Sequence, residues 1–331
     1  MISNAITRRF SRRDFLLMTL IGLGVTGPAG AQTFPSNVIR IVVPPGPGSP
    51  PDIISRVLAS ELSEREGWRV VVENRPGAMQ TIAMADVLKQ PTDGYSLLAM
   101  SVPVMAAPAL LPKMGLRPEV DFAPIIKLST SYNVLVVTPS LPVKSVSELV
   151  GLLKNEPDGL NFSSGGFGTP AHLIGEMFKL QTGVRAIHVP SQQLQQRMVD
   201  LLNGVTQFDF ITTVAVVDLI ATGKLRALAV TAPRRVAAFT DVPTVVEQGF
   251  PDLVVEDWVG LAARSGTPAE IITLLNHAIG KALASPKVRQ GFANGGAEPA
   301  GGTPAEFGQF ISSQVTHWGN VVKQSGIKMP Q

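Results

Sequence analysis

The chain has 331 residues, carries 28 Lys and Arg against 25 Asp and Glu, and contains no cysteine. The lack of cysteine excludes disulfides, thiolate catalysis and cysteine-ligated metals. Residues 1–31 hold four arginines and one acid, so the remainder has 24 residues of each sign and lacks the clustered positive charge that non-specific nucleic-acid binding needs.

The first 31 residues have the composition of a cleavable export signal. Arg12 and Arg13 precede the apolar residues 16–25, and a small-residue cleavage site ends at Ala31. A pair of arginines followed by Phe-Leu is the form that the twin-arginine pathway recognises. The apolar run is about half of the ~20 residues that a membrane-spanning helix needs. We therefore predict that the chain is exported to the periplasm and cleaved after Ala31.

Beyond this signal, apolar runs of strand length alternate with longer segments of helical period, which predicts an α/β fold with mainly parallel strands. Roughly 300 residues exceed what one hydrophobic core usually serves, which predicts two lobes. Strands are predicted at residues 39–43, 70–73, 96–101, 134–138, 161–163, 186–189, 208–212 and 225–231. Helices are predicted at residues 53–66, 81–88, 146–154, 169–181, 195–203, 269–284 and 304–324. Because no strand is predicted between the last two helices, we expect the C-terminal part to cap one lobe.

Two strand-to-helix junctions are built alike. Loop 1 (residues 45–49) and loop 2 (residues 164–169) are rich in glycine and end at the helix caps Ser49 and Thr169, each followed by proline. Glycine lets the backbone turn its N–H groups towards a ligand, and a helix start adds a partial positive charge that attracts carboxylate or phosphate. The pair could hold a small anion from two sides. Each junction could also be no more than a well-capped helix of an α/β fold.

A series of short motifs runs in one order along nearly all of the sequence after the signal. Among them are Val72-Glu73-Asn74-Arg75-Pro76-Gly77-Ala78, Asp93-Gly94-Tyr95, Ser163-Ser164-Gly165, His188-Val189-Pro190, Gly223-Lys224-Leu225-Arg226-Ala227, Asp241-Val242-Pro243-Thr244 and Gly266-Thr267-Pro268. In these motifs the chain resembles the Bug (TctC-like) family of periplasmic solute receptors, which serve tripartite tricarboxylate transporters.

The resemblance implies a two-lobed periplasmic binding protein of type II-like clamshell form with a hinge. Lobe 1 would hold residues 32–132 and, with the C-terminal helices, residues 254–331; lobe 2 would hold residues 133–253. The protein would act as a monomer without catalysis, metal or cofactor, capturing a small organic carboxylate for delivery to membrane permease subunits. The ligand-binding residues expected by position are Pro45, Gly46, Gly48, Ser49, Gln80, Ser101, Ser164, Gly165, Gly168, Thr169, His172, Pro190 and Thr212.

The chain departs from the family pattern around the expected cleft. Prolines stiffen loop 1, and other residues replace the usual ones in the segments Met79-Gln80-Thr81 and Ser191-Gln192-Gln193 and at Thr212. Proline removes an N–H donor, and methionine adds an adaptable apolar contact. We therefore expect a changed ligand specificity, because an aromatic or bulkier monocarboxylate would suit Met79 and Phe167 better than a dicarboxylate.

Two other function classes have some support in the sequence. A hydrolase would pair Ser or Thr with one of the four histidines, yet no Gly-x-Ser-x-Gly elbow occurs. His172 and Glu176 lie four residues apart and could begin a metal site, but the sequence shows no further ligand cluster. A ligand-reporting receptor for a membrane sensor would use the same fold and cleft, and the sequence does not separate it from a transport receptor.

Overall fold

The computed structural model describes residues 34–191 and 193–327, so the predicted export signal, its cleavage site and Gln192 lie outside the described residues. The strands are β1 (Ile39–Val43), β2 (Val70–Asn74), β3 (Ser96–Ser101), β4 (Phe122–Val137), β5 (Asn161–Ser164), β6 (Ile187–Pro190), β7 (Phe208–Thr212), β8 (Arg226–Val230), β9 (Glu256–Arg264) and β10 (Ala297–Gly301). The helices are α1 (Pro50–Glu66), α2 (Thr81–Leu88), α3 (Val102–Leu110), α4 (Pro118–Asp121), α5 (Val146–Asn155), α6 (Pro170–Thr182), α7 (Leu194–Leu202), α8 (Thr213–Ala221), α9 (Ala269–Leu283), α10 (Pro286–Ala293) and α11 (Pro304–Ser325).

The strands follow the order β2-β1-β3-β9-β4-β7-β5-β6, with β8 and β10 also paired to β4. Strands β1 to β3 are parallel in lobe 1, and β5 to β7 are parallel in lobe 2. The strands that join the lobes, β4 and β9, pair antiparallel with their neighbours. The α/β prediction is confirmed, but the expectation of mainly parallel strands is wrong for the middle of this mixed sheet. Strand β4 runs out of lobe 1 and β9 runs back into it alongside, so the two strands have opposite directions.

A hinge lies where these connections cross. Strand β4 pairs with β9 up to Tyr132 and with β7 from Asn133 onward. The buried hydroxyl of Thr231 accepts the N–H of Asn133 at 3.0 Å and lies 3.1 Å from the Val255 carbonyl, to which it can donate. A side chain of lobe 2 thus ties together the two backbone segments that pass between the lobes.

The C-terminal segment differs from its prediction, which also lacked α10. Strand β10 lies between α10 and α11, and it was not predicted because its sequence, Ala-Glu-Pro-Ala-Gly, lacks a strand pattern. Helix α11 begins with a capping box between Thr303 and Glu306 and buries Phe307, Ile311 and Trp318 along one face. It packs against α3 of lobe 1 and α6 of lobe 2, so it contacts both lobes rather than capping one. Across residues 34–191 and 193–327, no helix has both the length and the apolar character to span a membrane.

Candidate functional site

A cavity of about 840 Å³ lies at the carboxyl ends of the parallel strands of both lobes. This is where open α/β sheets bind ligands, because the loops after the strands converge there. Lobe 1 lines it with Pro44, Pro45, Pro76, Gly77, Ala78, Met79, Gln80 and Pro103, and lobe 2 lines it with Gly165, Gly166, Phe167, Gly168, Thr169 and Pro190.

The two loops have matching backbone geometry, as their sequences predict. The hydroxyl of Ser49 donates to the Gly46 carbonyl at 2.8 Å, and that of Thr169 donates to the Gly166 carbonyl at 2.7 Å. Neither cap side chain accepts a hydrogen bond from its own helix. The N–H groups at both helix starts are therefore not occupied by their caps, which leaves them available to a ligand.

The side chain of the residue three positions after each cap accepts a hydrogen bond from the loop backbone. The N–H of Gly48 donates to Oδ2 of Asp52 at 2.9 Å, and the N–H of Gly168 donates to Nδ1 of His172 at 3.1 Å. Burial alone would raise the pKa of Asp52, but hydrogen bonds from Arg56, Gly48 and Asn74 hold that pKa below its usual value. The start of α1, beside loop 1, therefore carries the ionised carboxylate of Asp52.

Loop 2 rests on a cluster of aromatic rings. The rings of His172 and His188 lie 4.1 Å apart, and Phe167 meets both edge-on. Burial, and then the charge of Lys179, lowers the pKa of His172 to about 4. Burial, followed by the nearby His172, lowers the pKa of His188 to about 3. Both imidazoles are neutral at neutral pH. The third residue of α6, His172, is therefore uncharged, whereas the third residue of α1, Asp52, is an anion.

The two helix starts differ in their free donors as well. Pro50 and Pro51 occupy the first two positions of α1, so of its first three residues Asp52 alone has an N–H. Helix α6 has proline only at its first position, and both Ala171 and His172 have an N–H. The start of α6 is therefore the stronger site for a carboxylate.

Acidification should destabilise the protein between pH 7 and pH 5 through this cluster. The folded-state pKa values of His172 and His188 lie below the usual 6.5, so the unfolded chain binds more protons than the folded chain in this range. The free energy of unfolding therefore decreases as the pH is lowered. Between pH 7 and pH 5, each histidine should lower the free energy of unfolding by about 1–2 kcal/mol, which urea unfolding at both pH values measures. His172→Asn should reduce the loss, whereas His277→Asn, at an exposed position on α9, should not. Equal losses in wild type and His172→Asn would contradict this assignment.

The expected site residues fall into two groups. Those that line the cavity are Pro45, Gln80, Gly165, Gly168, Thr169 and Pro190. Those outside the lining are Gly46, Gly48, Ser49, Ser101, Ser164, His172 and Thr212. Ser101 lies beneath Gln80, with its hydroxyl 3.4 Å from Oε1, and Thr212 pairs with Asn133 at the hinge. Ligand contact by any of these residues stays a prediction.

One lining segment has a conformation that no sequence pattern indicated. Three successive residues without glycine's freedom, Ala78, Met79 and Gln80, have φ angles of 43°, 52° and 72°. Such left-handed backbone is rare outside glycine, and runs of it are rarer still. A left-handed turn thus forms the part of lobe 1 that faces loop 2.

The hydrolase alternative has one structural counterpart. The hydroxyl of Ser164 lies 2.6 Å from Nε2 of His188, but Ser164 is fully buried and also bonds to Gly166. The other ring nitrogen of His188 has no partner, whereas a catalytic triad needs a third group to orient the base. The described residues also contain no group of three metal-ligating side chains. This Ser–His pair therefore holds loop 2 in place, with a buried hydroxyl and an imidazole that no third group orients.

A cavity at the strand ends of two α/β lobes, with backbone connections crossing between them, defines a two-lobed solute-binding protein. Residues 54–327 match the model of the TctC family, which is described as the tripartite tricarboxylate transporter family receptor. The chain belongs to this family of periplasmic solute-binding receptors, and the resemblance predicted from its motifs is confirmed.

Relatives with high coverage agree with this assignment. Protein BugT of Bordetella pertussis (strain Tohama I) is 35% identical over 320 residues, covering 95% of this chain and 98% of BugT. Rpa4515 of R. palustris, solved with adipate, is 33% identical with a TM-score of 0.79, covering 89% of this chain and 99% of its own. MatC of Rhodopseudomonas palustris, solved with bound malate, is 29% identical with a TM-score of 0.76, covering 87% and 100%.

Proposed function

We propose that the protein captures a small organic carboxylate in this cavity and delivers it to the membrane permease subunits of a tripartite tricarboxylate-type transporter, without catalysing a reaction. It would act as a monomer in the periplasm after cleavage behind Ala31. Family membership supports a receptor, and two relatives were solved with the carboxylates adipate and malate. The observation that carries the proposal is the start of α6, where loop 2 lines the cavity beside free helix-start donors.

The carboxylate of the ligand lies at loop 2 in this proposal. The N–H groups of Ala171 and His172 point out of the helix start, whose partial positive charge favours an anion. The neutral ring of His172 adds no repulsion there. At the start of α1, the two prolines remove donors, and Asp52 presents a carboxylate already paired with Arg56 where α6 has a neutral ring. Both differences favour the same end of the cavity.

Closure of the lobes would follow from ligand contacts with both. The side chain of Met79 in lobe 1 already reaches Gly168 in lobe 2, where an added Cβ would overlap its Cε. We place the lobe boundaries near residues 132 and 254, which is supported by the change of pairing partner along β4 after Tyr132. A ligand that touches both lobes binds the closed state better and shifts the population towards it.

A melting-temperature screen tests the proposed function. Protein without residues 1–31 should melt higher with at least one acid from a panel of mono-, di-, tri- and aromatic carboxylates. A hundredfold excess over Kd stabilises by about 2.7 kcal/mol, which is a shift of about 5 °C for a chain of this size. Amino acids, sugars and divalent metals serve as controls. A shift with one of these control classes and with no organic acid would contradict the carboxylate assignment.

A further inference from the structure

The described residues that line the cavity carry no charged side chain. Among the lining residues in the described part of the chain there is no Lys, Arg, Asp or Glu, and the polar side chains are those of Gln80 and Thr169. We propose that the ligand has a single carboxylate on an apolar body, and that Met79 and Phe167 are the side chains that select it. This proposal rests on the proposed function, since it assigns the substrate class of the same site.

Four prolines make part of the lobe 1 wall unsuited to a second carboxylate. Pro44, Pro45, Pro76 and Pro103 present apolar rings and have no N–H to donate. A carboxylate placed against them loses its hydration without gaining a charged partner, which disfavours binding strongly. The neutral amide of Gln80 is the one side-chain donor on this wall among the described lining residues, and one amide does not replace a hydration shell. The wall therefore favours an apolar group at this end of the ligand.

The left-handed turn at Ala78–Gln80 directs an apolar side chain across the cavity. Gly77 precedes it with a φ of 119°, and Met79 in its middle extends to Gly168 on the opposite lobe. A Cβ on Gly168 would also lie 3.2 Å from Cδ1 of Leu110, so this close approach depends on glycine. Methionine is flexible and polarisable, which lets it adapt to the surface of a ring or a branched chain.

Phe167 provides the matching apolar surface on lobe 2. Its ring meets His172 and His188 edge-on, so those two rings hold it in position beside the cavity. A volume of about 840 Å³ leaves room for an aromatic or branched body between Phe167 and Met79 once the carboxylate occupies the start of α6. The ring of Phe167 and the thioether of Met79 together suit an apolar ligand body.

Calorimetric titration with matched acids tests this proposal on the protein without its export signal. Hexanoate and adipate share a six-carbon chain and differ by one carboxylate, and 4-methylbenzoate and terephthalate differ by a methyl group in place of a carboxylate. In at least one pair the monocarboxylate should bind, and it should bind at least about tenfold more tightly than its diacid, because the diacid buries a charge without a partner. Tighter binding of the diacids would overturn the proposal and leave the proposed function intact. Binding of sugars or amino acids with no acid would overturn both.

A charge introduced at Met79 provides the second test. Met79→Lys should give the apolar wall a cation, so the affinity ratio of diacid to monoacid should rise at least about tenfold over wild type. Met114→Lys is the matched control, because Met114 is exposed in the turn Pro112–Met114 outside the cavity lining. An unchanged ratio in a folded Met79→Lys variant, or an equal change in Met114→Lys, would overturn the role of Met79. If Met79→Lys does not fold, the comparison of matched acids on the wild type still decides the ligand class.

Discussion

Replacing His172 by Asp should abolish carboxylate binding, whereas replacing it by Asn should leave most of the affinity. Both side chains can accept the N–H of Gly168 as His172 does, since Asp52 makes the equivalent bond to Gly48 in loop 1. The two variants therefore keep this bond, and His172→Asp differs from His172→Asn in its ionisable carboxyl group. A negative charge about 5 Å from the bound carboxylate costs about 3 kcal/mol at an effective dielectric constant of about 20, more than a hundredfold in Kd.

Titration calorimetry with the acid of highest affinity measures this difference. His277→Asp is the control for net charge, because His277 is exposed on α9 and away from the cavity lining. It should bind like wild type, and the melting temperature of each variant without ligand confirms that it is folded. If His172→Asp binds as tightly as His172→Asn, the carboxylate does not lie at loop 2.

Breaking the ion pair behind loop 2 should have a large effect on the stability of the protein. Arg197 donates from Nη2 to Oδ2 of Asp209 at 2.6 Å, and Asp209 is fully buried and also accepts from Ser163. Burial raises the pKa of Asp209 even with Arg197 beside it. Arg197→Met should therefore lower the free energy of unfolding by about 3–5 kcal/mol, since it leaves a buried carboxyl group without its partner.

Urea unfolding of three variants separates this effect from lost packing. Adding Asp209→Asn to Arg197→Met should recover much of the stability, because the unpaired carboxyl group is then gone. Arg235→Met, which breaks the exposed pair with Glu247, should cost no more than about 1 kcal/mol. A loss in Arg197→Met as small as that in Arg235→Met would show that the buried pair is not needed.

The ion pair also bears on the cavity. A Cβ on Gly165 would lie 3.5 Å from Nη1 of Arg197, so the guanidinium group packs directly behind a lining residue. Arg197 itself is 8% exposed and its Nε has no partner. Its guanidinium group therefore supports the backbone of loop 2 at Gly165.

Local patterns predicted much of the fold. The bounds of β1, β3, β7 and α2 agree with the predicted ranges, because these segments combine a clear period with caps or turns at their ends. Helix α3 was missed, since it contains Pro103 and Pro108 and is buried on most sides, which removes the amphipathic stripe. Residues 122–133 of β4 and the whole of β9 depend on pairing between distant segments, which no local pattern records.

The two loops were predicted from sequence, and the difference in charge between Asp52 and His172 was not. Glycines and caps identified loops 1 and 2, because a helix start after a strand has a strong local signature. The contrast between an ionised Asp52 and a neutral His172 depends on burial and on hydrogen bonds that only the folded chain shows. The left-handed turn at Met79 was not predictable, since its φ angles oppose the preferences of the residues that adopt them.

The position of the bound carboxylate can be seen in a crystal structure of the chain from Gln32 onward with the acid that raises its melting temperature most. We expect the carboxylate inside the cavity, within hydrogen-bonding distance of the N–H groups of Ala171 or His172. A carboxylate bound at the start of α1 beside Asp52, or bound outside the cavity, would contradict it.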